Sequence, residues 1–270
     1  RLADISDDIS LVTGNTLNKD YLRRSLNNVK PDVIVHMAAL PLANVAIEQT
    51  EEAFESILSS TVNILEVVRD FEHECPVIYT SSSMVYGDFH TPSVTEDAPK
   101  DPKEIYGSIK LAGEIISSGY RKRYGIDVRT VRPTAVYGPF DANQRVLYKF
   151  ITRALNCQPL RVDGDGSMAL DFTYVDDTAN GIYRVATTDA AAGETFNIAR
   201  GKSETLGTAV SIISETIGDV AVEYGEIPPH VPNRGTLDVT KAREIVGFEP
   251  QFGLERALPT YIEHLRNHPI

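Results

Sequence analysis

Residues 75–87 read Cys75-Pro76-Val77-Ile78-Tyr79-Thr80-Ser81-Ser82-Ser83-Met84-Val85-Tyr86-Gly87. An apolar run follows the proline and ends in three consecutive serines. Such a run suits a strand buried on both faces. The hydroxyls suit the carboxyl end of that strand, where an open parallel sheet presents its ligands. They could equally serve as a polar strand exit that caps the next turn. Working outward, Pro31-Asp32 leads into a second run, Val33 to Ala39, and Asp127 to Arg132 gives a third with Val128, Thr130 and Val131. Between them lie helical patterns from about Asn44 to Asp70 and from about Pro102 to Tyr124. The second has Asp101 as its expected N-cap and Pro102 at its first position. Strand, helix, strand, helix, strand predicts an α/β fold with a doubly wound, mainly parallel sheet.

After Pro133 the elements shorten. Strands are expected at Leu160 to Val162, Leu170 to Val175 and Thr195 to Ala199, with helices near Gln144 to Asn156, Thr205 to Ile217 and Leu254 to Asn267. This predicts a second, smaller, mixed α/β domain over residues 136–270, with about 170–200 returning to the first domain, residues 1–135. The Pro-rich stretch Ile227 to Pro232 reads as an ordered surface loop.

The composition narrows the function. Lys and Arg number 26 against 38 Asp and Glu, a net charge of −12. No basic face is available to neutralise phosphates, which argues against nucleic-acid binding. No apolar run approaches the roughly 18 to 20 residues a membrane span needs. Cys75 and Cys157 sit in apolar stretches without metal-ligand spacing and read as small buried hydrophobes, with no metal site. A reducing, cytoplasmic compartment fits that cysteine usage.

Tyr106 and Lys110 stand four apart near the start of a helix, so their side chains share one face. A phenol with an ordinary pKa of about 10 can act as a general acid or base near neutrality only if a neighbouring cation lowers that value, and Lys110 is such a cation. Taken alone, the spacing is also that of an ordinary amphipathic helix pair.

The ordered set is more informative. It comprises His36-x-Ala38-Ala39, Ser82 with Tyr86-Gly87, Tyr106-x-x-x-Lys110, Arg132-Pro133 with Val136-Tyr137-Gly138-Pro139, and Asp171-Phe172-x-x-Val175-x-Asp177. It resembles the extended short-chain dehydrogenase/reductase family, in its NAD-dependent epimerase/dehydratase branch acting on nucleotide sugars. The resemblance runs from about Val12 to Leu265. It implies a Rossmann-like dinucleotide-binding domain followed by a substrate domain, with NAD as cofactor. By the same resemblance Tyr106 is the catalytic base, Lys110 holds the nicotinamide ribose and lowers the Tyr106 pKa, and Ser82 hydrogen-bonds the reacting oxygen. Cofactor contacts are implied at Asn15, Thr16, Ala38, Ala39, Tyr106, Lys110, Pro133 and Val136. Substrate contacts are implied at Ser82, Ser83, Tyr106 and Arg234, the last on a diphosphate, which guanidinium geometry suits. A homodimer through the helices at about 44–70 and 102–124 is expected.

Several positions depart from the family pattern. No G-x-G-x-x-G segment is present to cradle a pyrophosphate at a helix N-terminus. Leu11 to Asn15 reads like the third strand of the fold, so a first βαβ portion on the order of 40 residues is expected to precede it. Asn15 stands where an Asp is common, and Ile57 where an Asn usually precedes a Gly-Thr pair, here Ser60-Thr61. Ala135 and Leu170 replace an Asn and an Arg that often contact substrate. Pro41, Leu42, Ala43 and the stretch from Phe140 to Arg145 are expected to shape selectivity. Ser83 and Met84 supply no carboxylate of the kind elimination or decarboxylation chemistry uses beside the hydroxyl, so C4 epimerisation of a UDP-sugar through a 4-keto intermediate is the leading expectation. A dehydrogenase or reductase of a sugar or sugar acid is the alternative, and a non-catalytic binding relative the third.

Overall fold

The computed structural model describes residues 5, 7–39, 49–71, 74–141, 143–228 and 231–268. Four strands form its central parallel sheet: β1 (Ile34–His36), β2 (Val77–Thr80), β4 (Val128–Pro133) and β9 (Thr195–Ile198), in the order β1-β2-β4-β9. Their registers pair Ile34 with Val77, Val77 with Val128 and Thr130 with Thr195.

The sheet is covered on both faces, and period-two alternation decides what goes where. Val77, Tyr79 and Val128 pack on one side with Ile64, Leu65 and Val68, from the helix that joins β1 to β2. That helix, α2, runs Thr50–Phe54, Glu55–Ser59 and Ser60–Arg69, the middle segment being a π-helical turn. Helices α1 (Lys19–Val29) and α3 (Ile105–Tyr124) complete this face through Leu22, Leu26, Ile116 and Tyr120. Ile78 and Val131 face the other way, toward Ile182 and Val185 of α5 (Val175–Thr187) and Ala242 and Val246 of α7 (Thr240–Val246). The doubly wound α/β sheet is therefore present.

A separate apolar core gathers α4 (Val146–Leu155), α6 (Leu206–Ile217) and α8 (Leu254–Asn267) around Tyr137, Leu160, Val162, Phe172 and Tyr261. Short strand pairs border it: β5 (Val136–Tyr137) with β8 (Thr173–Tyr174), β6 (Leu160–Asp163) with β11 (Val222–Gly225), and β7 (Ala169–Leu170) with β10 (Glu204–Thr205). A fourth pair, β3 (Ser93–Val94) with β12 (Thr236–Leu237), runs alongside the sheet core. Val239 to Phe248, which the sequence groups with the second half, also packs on that core.

Four local expectations change. Residues 11–15 form no strand: Leu11 and Val12 are exposed, and a β-run becomes a strand only when a neighbour supplies ladder partners, which no described residue does. Helix α3 starts at Ile105, with extended Glu104 at its N-cap rather than Asp101. Asp101 instead turns its carbonyl toward Gly87, and Lys103 pairs with Asp88. The expected strand from Leu170 to Val175 is two short strands, and Val175 opens α5, whose Asp177 carboxylate accepts from the backbone of Gln251 and Phe252. Cys157 is exposed at φ 53°, just past the C-cap of α4, and only Cys75 is buried. The helix expected from Asn44 is described from Thr50, and 44–48, like Pro41, Leu42 and Ala43, lie outside the described residues.

Candidate active site

The polar strand end after β2 does what its sequence suggests and more. Ser81 donates to the Glu114 carboxylate. Ser82, extended at φ −161°, caps the turn Ser83–Tyr86 by accepting from the Met84 amide at 3.2 Å. Accepting leaves its hydroxyl hydrogen available to donate.

Helix α3 comes down onto this turn through two glycines. A Cβ on Gly107 would lie 2.6 Å from the Met84 carbonyl oxygen, and one on Gly113 would lie 2.1 Å from the Tyr79 hydroxyl. Only residues without side chains allow that approach. It sets half-buried Tyr106 beside the serine turn and buries Lys110 below it. Lys110 Nζ donates to the Thr80 carbonyl at 2.7 Å and lies 5.8 Å from the centre of the Tyr106 ring. Among the described residues that carbonyl is its one hydrogen-bond acceptor, although an ammonium carries three donors.

Burial sets the electrostatics. It pushes the Lys110 ammonium down to about 8, with the Glu114 carboxylate opposing it. Burial also raises the Tyr106 phenol, and the cations that draw it back are Arg145 and Arg234. Beneath Lys110, His36 is held neutral, lowered to about 4 by burial and then by the Lys110 charge. His36 Nε2 meets the Thr61 hydroxyl at 3.0 Å and the Ser60 hydroxyl at 3.4 Å. The Ser60-Thr61 pair leaves the π-helical turn, a feature often found where a helix borders a functional site.

Arg234, on the segment leading into β12, reaches the same turn, contacting the Ser83 hydroxyl at 3.5 Å and the Met84 sulfur. Arg145 is paired with buried Asp141 at 3.0 Å. Glu104, just before α3, is buried with Oε2 unpartnered and acts electrostatically on Arg234.

A second group of expected residues gathers elsewhere. Asn15, Thr16, Ala38 and Ala39 line a cleft of about 270 Å³ with Leu17, Glu52, Glu55 and Ser56. Asn63 donates to the carbonyls of Thr16 and Leu17, both at 3.1 Å, pinning that loop to α2. Pro133 ends β4 and Val136 begins β5, on either side of Ala135, which takes the left-handed φ of 38°.

The residues present fit a dinucleotide in part. A buried ammonium with unused donors suits ribose hydroxyls, and a cleft edged by Glu52 and Glu55 suits hydroxyl donors better than an additional phosphate. For the pyrophosphate the sequence offers no equivalent cradle. Its single G-x-G, Gly164-Asp165-Gly166, lies in the turn between β6 and β7 and opens no helix.

Sequence reasoning gave no role to Glu114 or Glu104, and placed Arg145 only at the end of a stretch expected to shape selectivity. Glu114 had a signal, because it continues the four-residue spacing of Tyr106 and Lys110. Glu104 had none beyond its nearness in sequence to assigned residues.

The chain is similar to several known proteins. A UDP-glucose 4-epimerase from Mycolicibacterium smegmatis is 30% identical over 277 residues, spanning 98% of this chain and 85% of that protein. A UDP-glucuronate 4-epimerase from Thermodesulfobacterium geofontis is 29% identical, over 89% of this chain and 74% of its own. The crystal structure of UDP-glucuronic acid 4-epimerase from Bacillus cereus, in complex with UDP-glucuronic acid and NAD, superposes with a TM-score of 0.91 at 25% identity, over 98% of this chain and 83% of that one. The model of the NAD dependent epimerase/dehydratase family matches residues 1–199. With that match over most of its length and a Tyr, Lys and Ser set at the carboxyl end of a doubly wound sheet, the chain belongs to the NAD-dependent epimerase/dehydratase family.

Proposed function

We propose that this enzyme interconverts the C4 epimers of a UDP-sugar. The observation that carries the reading is the arrival of Ser82, Tyr106 and Lys110 at one strand end, together with a Ser83–Tyr86 turn that presents Ser83 and Met84, contacted by Arg234, rather than a carboxylate. Bound NAD supplies the hydride acceptor and donor. Tyr106 takes the proton from the C4 hydroxyl and returns it. Ser82 donates to the same oxygen. Lys110 keeps its charge near the phenol and binds ribose hydroxyls, while Arg234 grips the diphosphate, leaving the sugar free to turn between oxidation and reduction. Without an acid beside Ser82, loss of water from the 4-keto sugar has no proton donor at that position, which favours epimerisation over dehydration.

The enzyme is further proposed to act as an isologous homodimer through α2 and α3. Phe54 and Ile115 are exposed on these helices, and Gly119 has nothing within 4 Å of where a Cβ would stand. Gel filtration at micromolar concentration should give twice the chain mass, and a monomer would refute that arrangement. The catalytic reading is tested with UDP-glucose and UDP-glucuronate. At least one of them should yield its C4 epimer without net reduction of added NAD, and steady accumulation of NADH would favour a sugar dehydrogenase instead.

A further inference from the structure

A charged residue in a strand buried on both faces needs a partner of matching geometry. Arg132 lies in β4, 3% exposed, and finds one in Glu114 of α3. Its Nε and Nη2 donate to the two carboxylate oxygens at 2.9 and 2.7 Å, a bidentate pair. Its Nη1 donates to the Tyr86 hydroxyl at 2.7 Å and to the Glu96 carbonyl at 2.9 Å. The same carboxylate accepts from Ser81, the residue before Ser82. Tyr86, which closes the turn opened by Ser83, donates onward to Asn197 of β9 at 2.7 Å. Along α3, Tyr106, Lys110 and Glu114 follow one another at four-residue intervals on one face. One ion pair thus ties together the end of β2, the turn after it, α3 and β4.

We propose that Glu114, clamped by Arg132, is a positioning residue for the Ser82, Tyr106 and Lys110 site: it fixes strand end and helix in one register and sets a carboxylate one helical turn from Lys110. Lys110 faces the Tyr79 ring on β2, neutral His36 on β1, and Tyr106 and Glu114 on its own helix. Glu114 is the carboxylate acting on it. Around Glu114 stand Arg132, Tyr86, Tyr79 and Lys100, the last with its charge weakened by burial and by Arg132. Glu96 accepts from the Asn197 amide at 2.7 Å, with Lys241 and Arg132 acting on its charge. Neutralising Glu114 leaves Lys110 near an uncompensated guanidinium.

The test is Glu114→Gln, which preserves shape and removes charge, read by NMR titration of lysine carbons labelled at Cε and by kcat and KM against pH. The Lys110 midpoint should fall clearly below its wild-type value of about 8. At neutral pH kcat should fall by about tenfold or more with KM nearly unchanged, and activity should fail on the alkaline side at a lower pH. Arg132→Lys keeps the cation but loses the fork, so kcat should drop while the Lys110 midpoint stays near 8. An unmoved Lys110 midpoint in folded Glu114→Gln, or wild-type kcat in Arg132→Lys, overturns the proposal. Should Glu114→Gln not fold, Ser81→Ala carries the test: a severalfold loss of kcat at constant KM supports it, and wild-type kcat refutes it. The kinetic arm rests on the epimerase reading, and the titration does not. A wild type that turns over no UDP-sugar therefore refutes that reading alone.

Discussion

Around Lys110 the polar groups are tied in pairs, whereas around Arg234 they are not. Lys110 holds the Thr80 carbonyl, Ser81 and Arg132 hold Glu114, and Tyr86 joins Arg132 to Asn197, with most of these bonds between 2.7 and 2.9 Å. Arg234 has a long contact to Ser83 and a thioether, and the nearby Glu104 carboxylate keeps an unpartnered oxygen. The first region is preorganised: its donors and charges are fixed before a substrate arrives, which is where electrostatic catalysis draws its energy. The second has spare hydrogen-bonding capacity, which suits a group that must grip a diphosphate while the sugar beyond it changes face.

If this contrast is correct, substitutions should separate cleanly. Tyr106→Phe should cut kcat by about 10²- to 10⁴-fold with KM and melting temperature kept, because it removes one proton carrier from a framework that stays in place. Residual turnover above a tenth of wild type would break the base assignment. Arg234→Ala should instead act on binding: losing a charged hydrogen-bonding partner of phosphate is worth about 1.5–3 kcal/mol, or roughly 10- to 100-fold in the Kd for UDP measured by calorimetry. A change confined to kcat would erase the distinction between the two ends. Glu104→Gln removes a negative charge near the expected diphosphate and should tighten UDP by about two- to fivefold, and weaker binding would show that the carboxylate supports Arg234 rather than competing for it.

The smallest effect is on stability. Burial lowers Lys110 to about 8 from the ordinary 10.5, so between these values the unfolded chain binds a proton that the folded one does not. This group therefore makes the wild type more stable as pH rises from about 8 to 10.5, and below about 8 its penalty is constant. Lys110→Met should lack that rise, and denaturant titrations of both proteins across the window check it. Parallel pH curves would mean that Lys110 is less desolvated than its burial implies.

Much of this was legible in the residues. The apolar run Val77 to Thr80 is β2, and the amphipathic pattern from Leu254 to Asn267 is α8. The four-residue spacing alone put Tyr106 and Lys110 on one helix face. What was not legible depends on distant partners. Leu11 to Asn15 has strand-like residues, but ladder partners decide whether they pair. Thr173 and Val175 look continuous as a β-branched run, yet α5 begins at Val175, its first turn anchored by Asp177 to a backbone more than seventy residues on. Arg132 and Glu114 are eighteen positions apart. Two Arg inside an apolar strand, Arg129 and Arg132, and a Glu four residues past Lys110 were visible, but nothing local joined Arg132 to that Glu.

The most direct test of the account is to incubate the enzyme, supplemented with NAD, with UDP-glucuronate and UDP-glucose in deuterated water and follow the sugar H4 signals by proton NMR. The account predicts that at least one of the two yields its C4 epimer, that NAD is not consumed, and that Tyr106→Phe converts it about 10²-fold more slowly or worse. Oxidised sugar accumulating together with NADH, or conversion undiminished in Tyr106→Phe, would contradict it.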